Sequence, residues 1–148
     1  MRMAHGTPPI DHVLTLQQSL IATGFDAVIG GSGLLVSLGL SETAKDWDVV
    51  VDAAPADVRA VLTQLGLTFV RHAPAGIYRT AALFRVDAAD HEIDVMVRFA
   101  LADGDATVSI PARSGAVWRG LVMADPRDWA IAYRLMGRSS KADALRDL

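Results

Sequence analysis

The sequence predicts a mixed α/β fold of the α+β type, with helices flanking a mixed β-sheet and a short helical tail at the C-terminus. Apolar residues at helical spacing alternate with short β-prone segments through the first half of the chain. Several β-prone segments then follow one another from residue 67 to residue 123. Helical spacing returns after residue 125, so we expect one domain over residues 1–148, with a core over 1–124 and C-terminal helices over 125–148.

The composition is that of a globular protein, because 51% of the 148 residues are hydrophobic and 21% are charged. No apolar run approaches the roughly 20 residues of a membrane span, and the N-terminus lacks the apolar core of a signal peptide. A net charge of -3 without a dense Lys/Arg cluster argues against an extended nucleic-acid surface. The absence of cysteine excludes disulfides and thiolate metal sites. We therefore expect a cytoplasmic protein that does not bind membranes.

The first half of the chain is predicted to alternate helices and strands. Apolar residues from Ile10 to Ile21 follow helical spacing, and Gly24 ends that helix. Residues 33–40 have little polar face, which indicates a buried helix. The predicted elements are a loose lead-in at 1–9, a helix over 10–21, a strand over 25–29, the buried helix over 33–40, a polar loop at 41–45 and a strand over 46–51.

The second half is predicted to contain one helix, a series of strands and two further helices. Pro55 and Pro126 stand where a first helical turn tolerates proline, and a glycine follows each of these helices. Ser140 and Asp143 form a capping-box pattern for the last helix. The predicted elements are a helix over 55–65, strands over 67–71, 77–86 and 91–99, shorter strands over 106–110 and 116–123, and a helix over 126–136.

Two carboxylates stand at the head of the predicted strand over 46–51. Asp46 and Asp48 are spaced i and i+2, so they point to one face of the strand while Trp47 points to the other. Asp94 lies between apolar residues on a later strand. Paired charge on a largely buried element is costly unless a cation neutralises it. The spacing therefore favours a Mg²⁺ site at Asp46 and Asp48, with Asp94 as a third ligand and two metal ions roughly 3.5–4 Å apart.

A glycine-rich turn precedes this strand. Gly30, Gly31 and Gly33 allow the backbone to approach a ligand closely, and Ser32 supplies a hydroxyl donor. Backbone N–H groups at the start of the following helix would contact phosphate oxygens. The order strand, glycine turn, helix, loop and acidic strand is less common than any of its parts.

These residues resemble the nucleotidyltransferase superfamily of the DNA polymerase beta type. The resemblance is carried by Gly30-Gly31-Ser32, by Asp46-Trp47-Asp48 and by Asp94 in its apolar strand. The approach to Asp46 is similar to that of small bacterial and archaeal members, including relatives of antibiotic nucleotidyltransferases and of abortive-infection toxins. The resemblance implies a mixed sheet flanked by helices, and metal-dependent transfer of a nucleoside monophosphate from an NTP to a hydroxyl.

The resemblance also implies roles for particular residues. Asp46 and Asp48 would bind Mg²⁺ or Mn²⁺, and Asp94 would be the third metal ligand or the general base. The implied nucleotide-binding residues are Gly30, Gly31, Ser32 and Lys45, although its position in the loop before Asp46 favours reading Lys45 as a solvated charge. A charged pattern near the end of such proteins is similar to Arg138, Lys141 and Asp143.

The chain departs from larger members, which carry a separate helical domain for the acceptor. We therefore expect an unidentified small-molecule, protein or RNA acceptor, with a homodimer or a small helical partner completing the cleft. An alternative is a non-catalytic module that binds nucleotide or acts in a toxin–antitoxin couple with the same fold. A further alternative is an α/β protein whose acidic strand binds no metal.

Several other side chains have a functional and a structural interpretation. Glu92 shares the face of Asp94 and is a second candidate base or a solvated strand residue. Arg79 and Arg85 are predicted to share a strand face, where they would contact phosphates, pair with the acidic site or be exposed. The histidines lack metal-ligand spacing and are predicted at the surface; they are His5, His12, His72 and His91. The tryptophans are predicted in the core, with base stacking as the alternative; they are Trp47, Trp118 and Trp129.

Overall fold

The computed structural model describes residues 6–148, which form five helices and nine strands. The helices are α1 (Asp11–Ala22), α2 (Gly31–Ser37), α3 (Pro55–Gln64), α4 (Pro126–Leu135) and α5 (Ser139–Arg146). The strands are β1 (Asp26–Gly30), β2 (Trp47–Asp52), β3 (Thr68–His72), β4 (Ala82–Asp87), β5 (Glu92–Val97), β6 (Ala100–Asp103), β7 (Ala106–Ser109), β8 (Ser114–Trp118) and β9 (Leu121–Ala124). Among these helices, none has the length and apolar character needed to cross a membrane.

Seven strands form one mixed sheet in the order β3-β4-β5-β2-β1-β9-β8, and β6 pairs with β7 in a separate hairpin. Strand β2 is antiparallel to β1 and parallel to β5. Because β2 lies near the centre of the sheet, its apolar side chains are buried on both faces: Trp47, Val49, Val50 and Val51 are all fully buried. The mixed sheet with flanking helices confirms the predicted fold class.

A buried glutamine fixes α1 to the sheet. The side-chain Nε2 of Gln17 donates to the carbonyl oxygens of Ala27 at 3.0 Å and Val122 at 2.8 Å. Its Oε1 accepts from the backbone N–H of Val122 at 3.0 Å. A buried amide is stable when its donors and acceptor are bonded in this way. Gln17 therefore connects α1 to both β1 and β9, beside the strand that ends at the glycine turn.

Two predicted strands are shorter than the sequence indicated. The strand predicted over 77–86 begins at Ala82, because residues 77–81 instead bond irregularly to β6. There the N–H of Arg79 donates to Ala100 at 2.8 Å and that of Ala102 to Ile77 at 2.7 Å. The strand predicted over 91–99 ends at Val97, since Arg98 has a positive φ of 53° that interrupts the strand before β6.

Two further predictions near the C-terminus were wrong. The strand predicted over 116–123 is a hairpin, in which Arg119 (φ 51°) and Gly120 (φ 84°) form the turn between β8 and β9. The capping box is absent, because α5 begins at Ser139 and Arg138 at its N-cap makes no side-chain capping bond. Asp143 instead contacts Arg146 at 3.2 Å.

The histidine prediction holds for two of the three described residues. His12 and His72 are exposed, whereas His91 is buried with 7% of its surface accessible. The Nδ1 of His91 lies 2.7 Å from Oδ1 of Asp90, which provides a polar partner for a buried ring. Residues 1–5 of the predicted lead-in, which include His5, lie outside the described residues.

Candidate active site

A row of matched positions crosses four neighbouring strands of the sheet. Gly30 on β1 is paired with Asp48 on β2, Asp48 with Asp94 on β5, and Asp94 with Arg85 on β4. Side chains at matched positions of adjacent strands point to the same face of a sheet. The row therefore places two carboxylates and a guanidinium side by side, next to a position without a side chain.

Asp48 is the carboxylate of this row that has no partner. It is half-buried on β2, and among the described residues no hydrogen bond or ion pair reaches its carboxylate. Burial raises its pKa from 3.8 to about 7, with further contributions from the negative charges of Asp94 and Asp46. Like charges and desolvation both disfavour the ionised form. A cation bound here would favour the ionised form of Asp48 and so oppose this rise in its pKa.

Asp46 lies one residue before β2, so the strand begins one residue later than predicted. Its side chain is half-buried, and Oδ1 accepts a hydrogen bond from the backbone N–H of Glu92 at 3.1 Å. The start of β5 therefore holds Asp46 beside the row, and its charge contributes to the raised pKa of Asp48. Asp46 and Asp48 come together as the sequence predicted.

Asp94 is bound on both oxygens by Arg85. Nε of Arg85 donates to Oδ1 at 2.8 Å and Nη2 to Oδ2 at 3.4 Å. The hydrogen bond to Asp94 raises the pKa of Arg85, which stays charged. Glu92, the other candidate base, is more exposed and lies 4.0 Å from Nε of the same arginine. The sequence analysis left several alternatives open for Arg85. The structure shows the one in which it pairs with the acidic site.

Arg79 does not share a strand face with Arg85, and that prediction was wrong. Its Nη1 donates to the carbonyl oxygens of Gly76 at 2.8 Å and Tyr78 at 3.0 Å in the loop before β4. The predicted strand extended back to residue 77 because residues 77–81 are followed by β-prone neighbours. In the structure this segment bonds to β6 instead of continuing β4.

Each glycine of the turn is adjacent to a particular side chain. A Cβ on Gly31, which has a φ of +60°, would collide with Oδ2 of Asp48. A Cβ on Gly30 would collide with the indole of Trp129, and one on Gly33 would lie 2.7 Å from the ring of Trp47. Gly31 therefore leaves space at the carboxylate, whereas Gly30 and Gly33 leave space for core tryptophans.

The row opens into a cleft of about 420 Å³. Its polar lining comes from Gly31, Ser32, Asp48, Asp94, Arg85, Arg138 and Lys141. Its aromatic and thioether lining comes from Tyr78, Trp129, Tyr133, Met96 and Met136. A largely apolar cavity with a few convergent charged groups is the usual form of a small-molecule site.

Helix α4 contributes two aromatic side chains to the cleft, Trp129 and Tyr133. Burial raises the pKa of Tyr133, and the charge of Asp48 adds to the effect, so the phenol stays protonated. Trp129 is buried and stacks on Phe99 with a centroid distance of 5.3 Å. Their spacing on the helix gave a burial signal but no signal that one edge of this face borders a cleft.

Lys45 lies in a second, larger cleft of about 870 Å³. This cleft borders the first one, because Ser32 and Lys141 line both. The nucleotide-binding residues implied by the resemblance are therefore divided. Gly31 and Ser32 line the Asp48 cleft, Gly30 packs on Trp129, and Lys45 faces the neighbouring space.

The fit of these residues to a metal ion depends on which carboxylates are free. Within residues 6–148, no three His, Asp or Glu side chains are grouped as ready metal ligands, and Asp94 is bound by Arg85. Asp48 has no partner and Asp46 keeps one oxygen without a hydrogen bond from the described residues. Mg²⁺ commonly uses one or two carboxylates together with substrate phosphates. Asp46 and Asp48 fit that requirement.

No family model matches the sequence, and no curated protein sequence matches it. Among solved structures, the chain is similar to a Thermotoga maritima protein described as a candidate nucleotidyltransferase, with a TM-score of 0.69 and 16% identity over 99% of this chain and 97% of that one. The chain has the nucleotidyltransferase fold.

Two structures of the antibiotic-resistance factor ANT(2'')-Ia show the same fold. The complex with adenylyl-2''-tobramycin has a TM-score of 0.54 and 14% identity over 90% of this chain and 86% of that one. The solution structure has a TM-score of 0.52 and 15% identity over 92% of this chain and 90% of that one. The resemblance to the nucleotidyltransferase superfamily is thereby confirmed at the level of the fold.

Proposed function

We propose that the protein transfers a nucleoside monophosphate from an NTP to a hydroxyl group of an acceptor, with Mg²⁺ or Mn²⁺ bound at Asp46 and Asp48. The observation that carries this proposal is the partner-free carboxylate of Asp48, which lines a cleft together with Ser32, Arg138 and Lys141 in a chain with the nucleotidyltransferase fold. An acidic side chain with a pKa raised by burial and by neighbouring charges is a common mark of a functional site.

The donor side of the cleft combines carboxylates with cations. A divalent ion at Asp46 and Asp48 would neutralise triphosphate oxygens and stabilise the charge that develops on the leaving group. Gly31 leaves room for the triphosphate beside Asp48, and the hydroxyl of Ser32 is available to donate to a phosphate oxygen. Arg138 and Lys141 line the same cleft and provide further positive charge.

The acceptor side is served by Asp94. The acceptor oxygen would attack the α-phosphorus, the bond from that phosphorus to the bridging oxygen would break, and pyrophosphate would leave. Asp94 would take the hydroxyl proton, because it lies in the cleft beside Asp48 and is held in place by Arg85. Arg85 acts through Asp94 as a positioning residue.

A small hydroxyl compound is the acceptor class that the dimensions favour. The Asp48 cleft of about 420 Å³ has the size of an ordinary small-molecule site. The chain also spans 86% of ANT(2'')-Ia, which was crystallised with an adenylylated antibiotic. A cytoplasmic location accords with a supply of NTP and Mg²⁺. A homodimer or a small helical partner that completes the cleft remains a prediction.

Label transfer tests the proposal. Protein is incubated with each α-labelled NTP and Mg²⁺ or Mn²⁺ in cell extract, and the labelled product is isolated. We expect Asp48→Asn to abolish transfer, and Asp26→Asn, an exposed aspartate on β1, to leave it unchanged. Equal labelling by wild type and Asp48→Asn would contradict the proposal.

A second candidate is a nucleotide-binding module without transfer activity, including one half of a toxin–antitoxin couple. It is favoured by the ion pair that holds both oxygens of Asp94, since this leaves no third free carboxylate in the described cleft. Calorimetric binding of Mg-NTP without label transfer to a broad set of acceptors would favour this candidate over the enzyme.

A further inference from the structure

Arg85, which is paired with Asp94, places a positive charge inside the candidate site. Arg85 and Asp94 are directly opposite each other on the antiparallel strands β4 and β5. The guanidinium reaches both carboxylate oxygens, at 2.8 Å and 3.4 Å. A guanidinium that binds a carboxylate through two nitrogens has a fixed orientation as well as a charge. Arg85 therefore reaches Asp94 from β4, on the opposite side of β5 from Asp48, and binds both of its carboxylate oxygens.

The same pair is adjacent to the proposed metal ligands. Asp94 is matched with Asp48 across the parallel strands β2 and β5, and neighbouring strands are about 4.8 Å apart. In two-metal sites the two ions lie roughly 3.5–4 Å apart. A second dication placed between Asp48 and Asp94 would therefore lie close to the guanidinium of Arg85, and like charges at that range repel.

We propose that Arg85 serves as an internal cation in place of a second divalent metal ion, so that the site binds one ion, through Asp46 and Asp48. The proposal rests on the proposed function, because it assumes that these two carboxylates bind metal. Asp94 is then not a metal ligand: its oxygens are bound by Arg85 and oriented toward the acceptor. The exposure of the pair, 39% for Arg85 and 25% for Asp94, indicates that its removal is compatible with folding.

Counting bound Mn²⁺ on the full chain tests this stoichiometry. Protein is titrated with Mn²⁺ alone, and the free ion is measured by its electron paramagnetic resonance signal. We expect one ion per wild-type chain, one for Arg85→Lys, which keeps the charge, and two for Arg85→Gln, which frees Asp94. Arg85→Gln combined with Asp94→Asn should return the count to one.

Arg79→Gln is the matched control, because its guanidinium bonds only to carbonyl oxygens of the loop before β4. This variant should bind one ion. Two ions on the wild-type chain, or one ion on a folded Arg85→Gln chain, would overturn the inference and leave the proposed metal site intact. The wild-type count needs no variant, so a folding defect in Arg85→Gln would not remove the test. No ion on the wild-type chain would overturn both the inference and the metal site of the proposed function.

Discussion

Asp48 and Asp94 lie at matched positions of the adjacent parallel strands β2 and β5, yet only Asp94 has a counter-ion. Arg85 is paired with Asp94 from β4, whereas β1 places Gly30 opposite Asp48. No described side chain bonds to the carboxylate of Asp48, and the positive charges of Arg85 and Arg138 only partly offset the effect of its burial on its pKa. A cation added to the site would therefore have its largest stabilising effect at Asp48.

The first prediction concerns stability in the absence of metal. Because the pKa of Asp48 is raised from 3.8 to about 7 in the fold, the native state holds this proton more tightly than the unfolded chain. Its contribution to stability is complete below pH 4 and is lost as the pH rises through 7. Asparagine at position 48 cannot ionise, so the variant should not lose this stability as the pH rises. At pH 8 its free energy of unfolding should exceed that of wild type by about 2 kcal/mol, a figure that is discounted because Asp48 is partly exposed.

Urea unfolding in EDTA at pH 4 and pH 8 measures this difference. Asp26→Asn, on the same sheet but exposed, should follow the wild-type pH dependence. A stability difference between Asp48→Asn and wild type that is the same at both pH values would contradict the raised pKa.

The second prediction concerns metal binding. Mg²⁺ or Mn²⁺ should raise the melting temperature of the wild-type protein more at pH 8 than at pH 6, because the ion competes with a proton for Asp48. Thermal unfolding at increasing metal concentration measures this effect. Asp48→Asn should lose most of the stabilisation and Asp26→Asn should retain it. Identical shifts in all three proteins would indicate non-specific ion binding.

The sequence predicted the acidic half of the site because the pattern that identifies each carboxylate lies within a few neighbouring residues. Asp46 and Asp48 are separated by one residue, and Asp94 stands in a strand of apolar neighbours, so period-two alternation was enough to orient them. Their meeting requires that β2 and β5 be neighbours. The sequence analysis assumed that these strands are neighbours when it assigned Asp94 as a third ligand, and the structure shows that they are.

The cationic half of the site depends on contacts between residues far apart in the chain, and no comparable pattern in the sequence predicts these contacts. The pairing of Arg85 with Asp94 requires the register of β4 on β5, which a sequence pattern does not specify. Arg98 and Arg119 adopt positive φ, a conformation that their residue type does not indicate, and the strand boundaries there were accordingly wrong. Arg138 and Lys141 reach the cleft because α4 packs against β1 through Trp129 and α5 packs on α4.

The third prediction concerns Gly30, the glycine of the turn that packs against a core tryptophan. Gly30 has an ordinary φ of -110°, so the cost of Gly30→Ala is the collision of its Cβ with Trp129. We expect a loss of about 2 kcal/mol in unfolding free energy, as for other overpacked cores. Combining it with Trp129→Leu should give less than the sum of the two single effects, because both changes act on the same contact.

Urea unfolding of the four proteins in this cycle provides the measurement. Gly24→Ala is a useful comparison, since Gly24 has a positive φ of 104° and no described atom beyond its own residue and its chain neighbours lies within 4 Å of the point that an alanine Cβ would occupy there. The cost of that substitution is therefore conformational only. Additive effects of Gly30→Ala and Trp129→Leu would show that contact with the indole is not the cause of the cost of Gly30→Ala.

The fourth prediction determines which cleft binds the nucleotide. Lys141 lines both clefts and Lys45 lines only the larger one. If the triphosphate lies beside Asp48, Lys141→Ala should weaken Mg-NTP binding about tenfold, as expected for the loss of one charge-assisted contact. Lys45→Ala should change it by less than about twofold, because a solvated charge outside the cleft is screened.

Calorimetric titration with Mg-NTP measures both variants under the same conditions. Lys141 also lies 5.3 Å from the centroid of the Tyr133 ring, so its loss could alter packing as well as charge. Lys141→Met keeps most of the apolar stem and should weaken binding as much as Lys141→Ala if charge is the cause. A large effect of Lys45→Ala with none for Lys141→Met would instead place the triphosphate in the larger cleft, away from the carboxylate of Asp48.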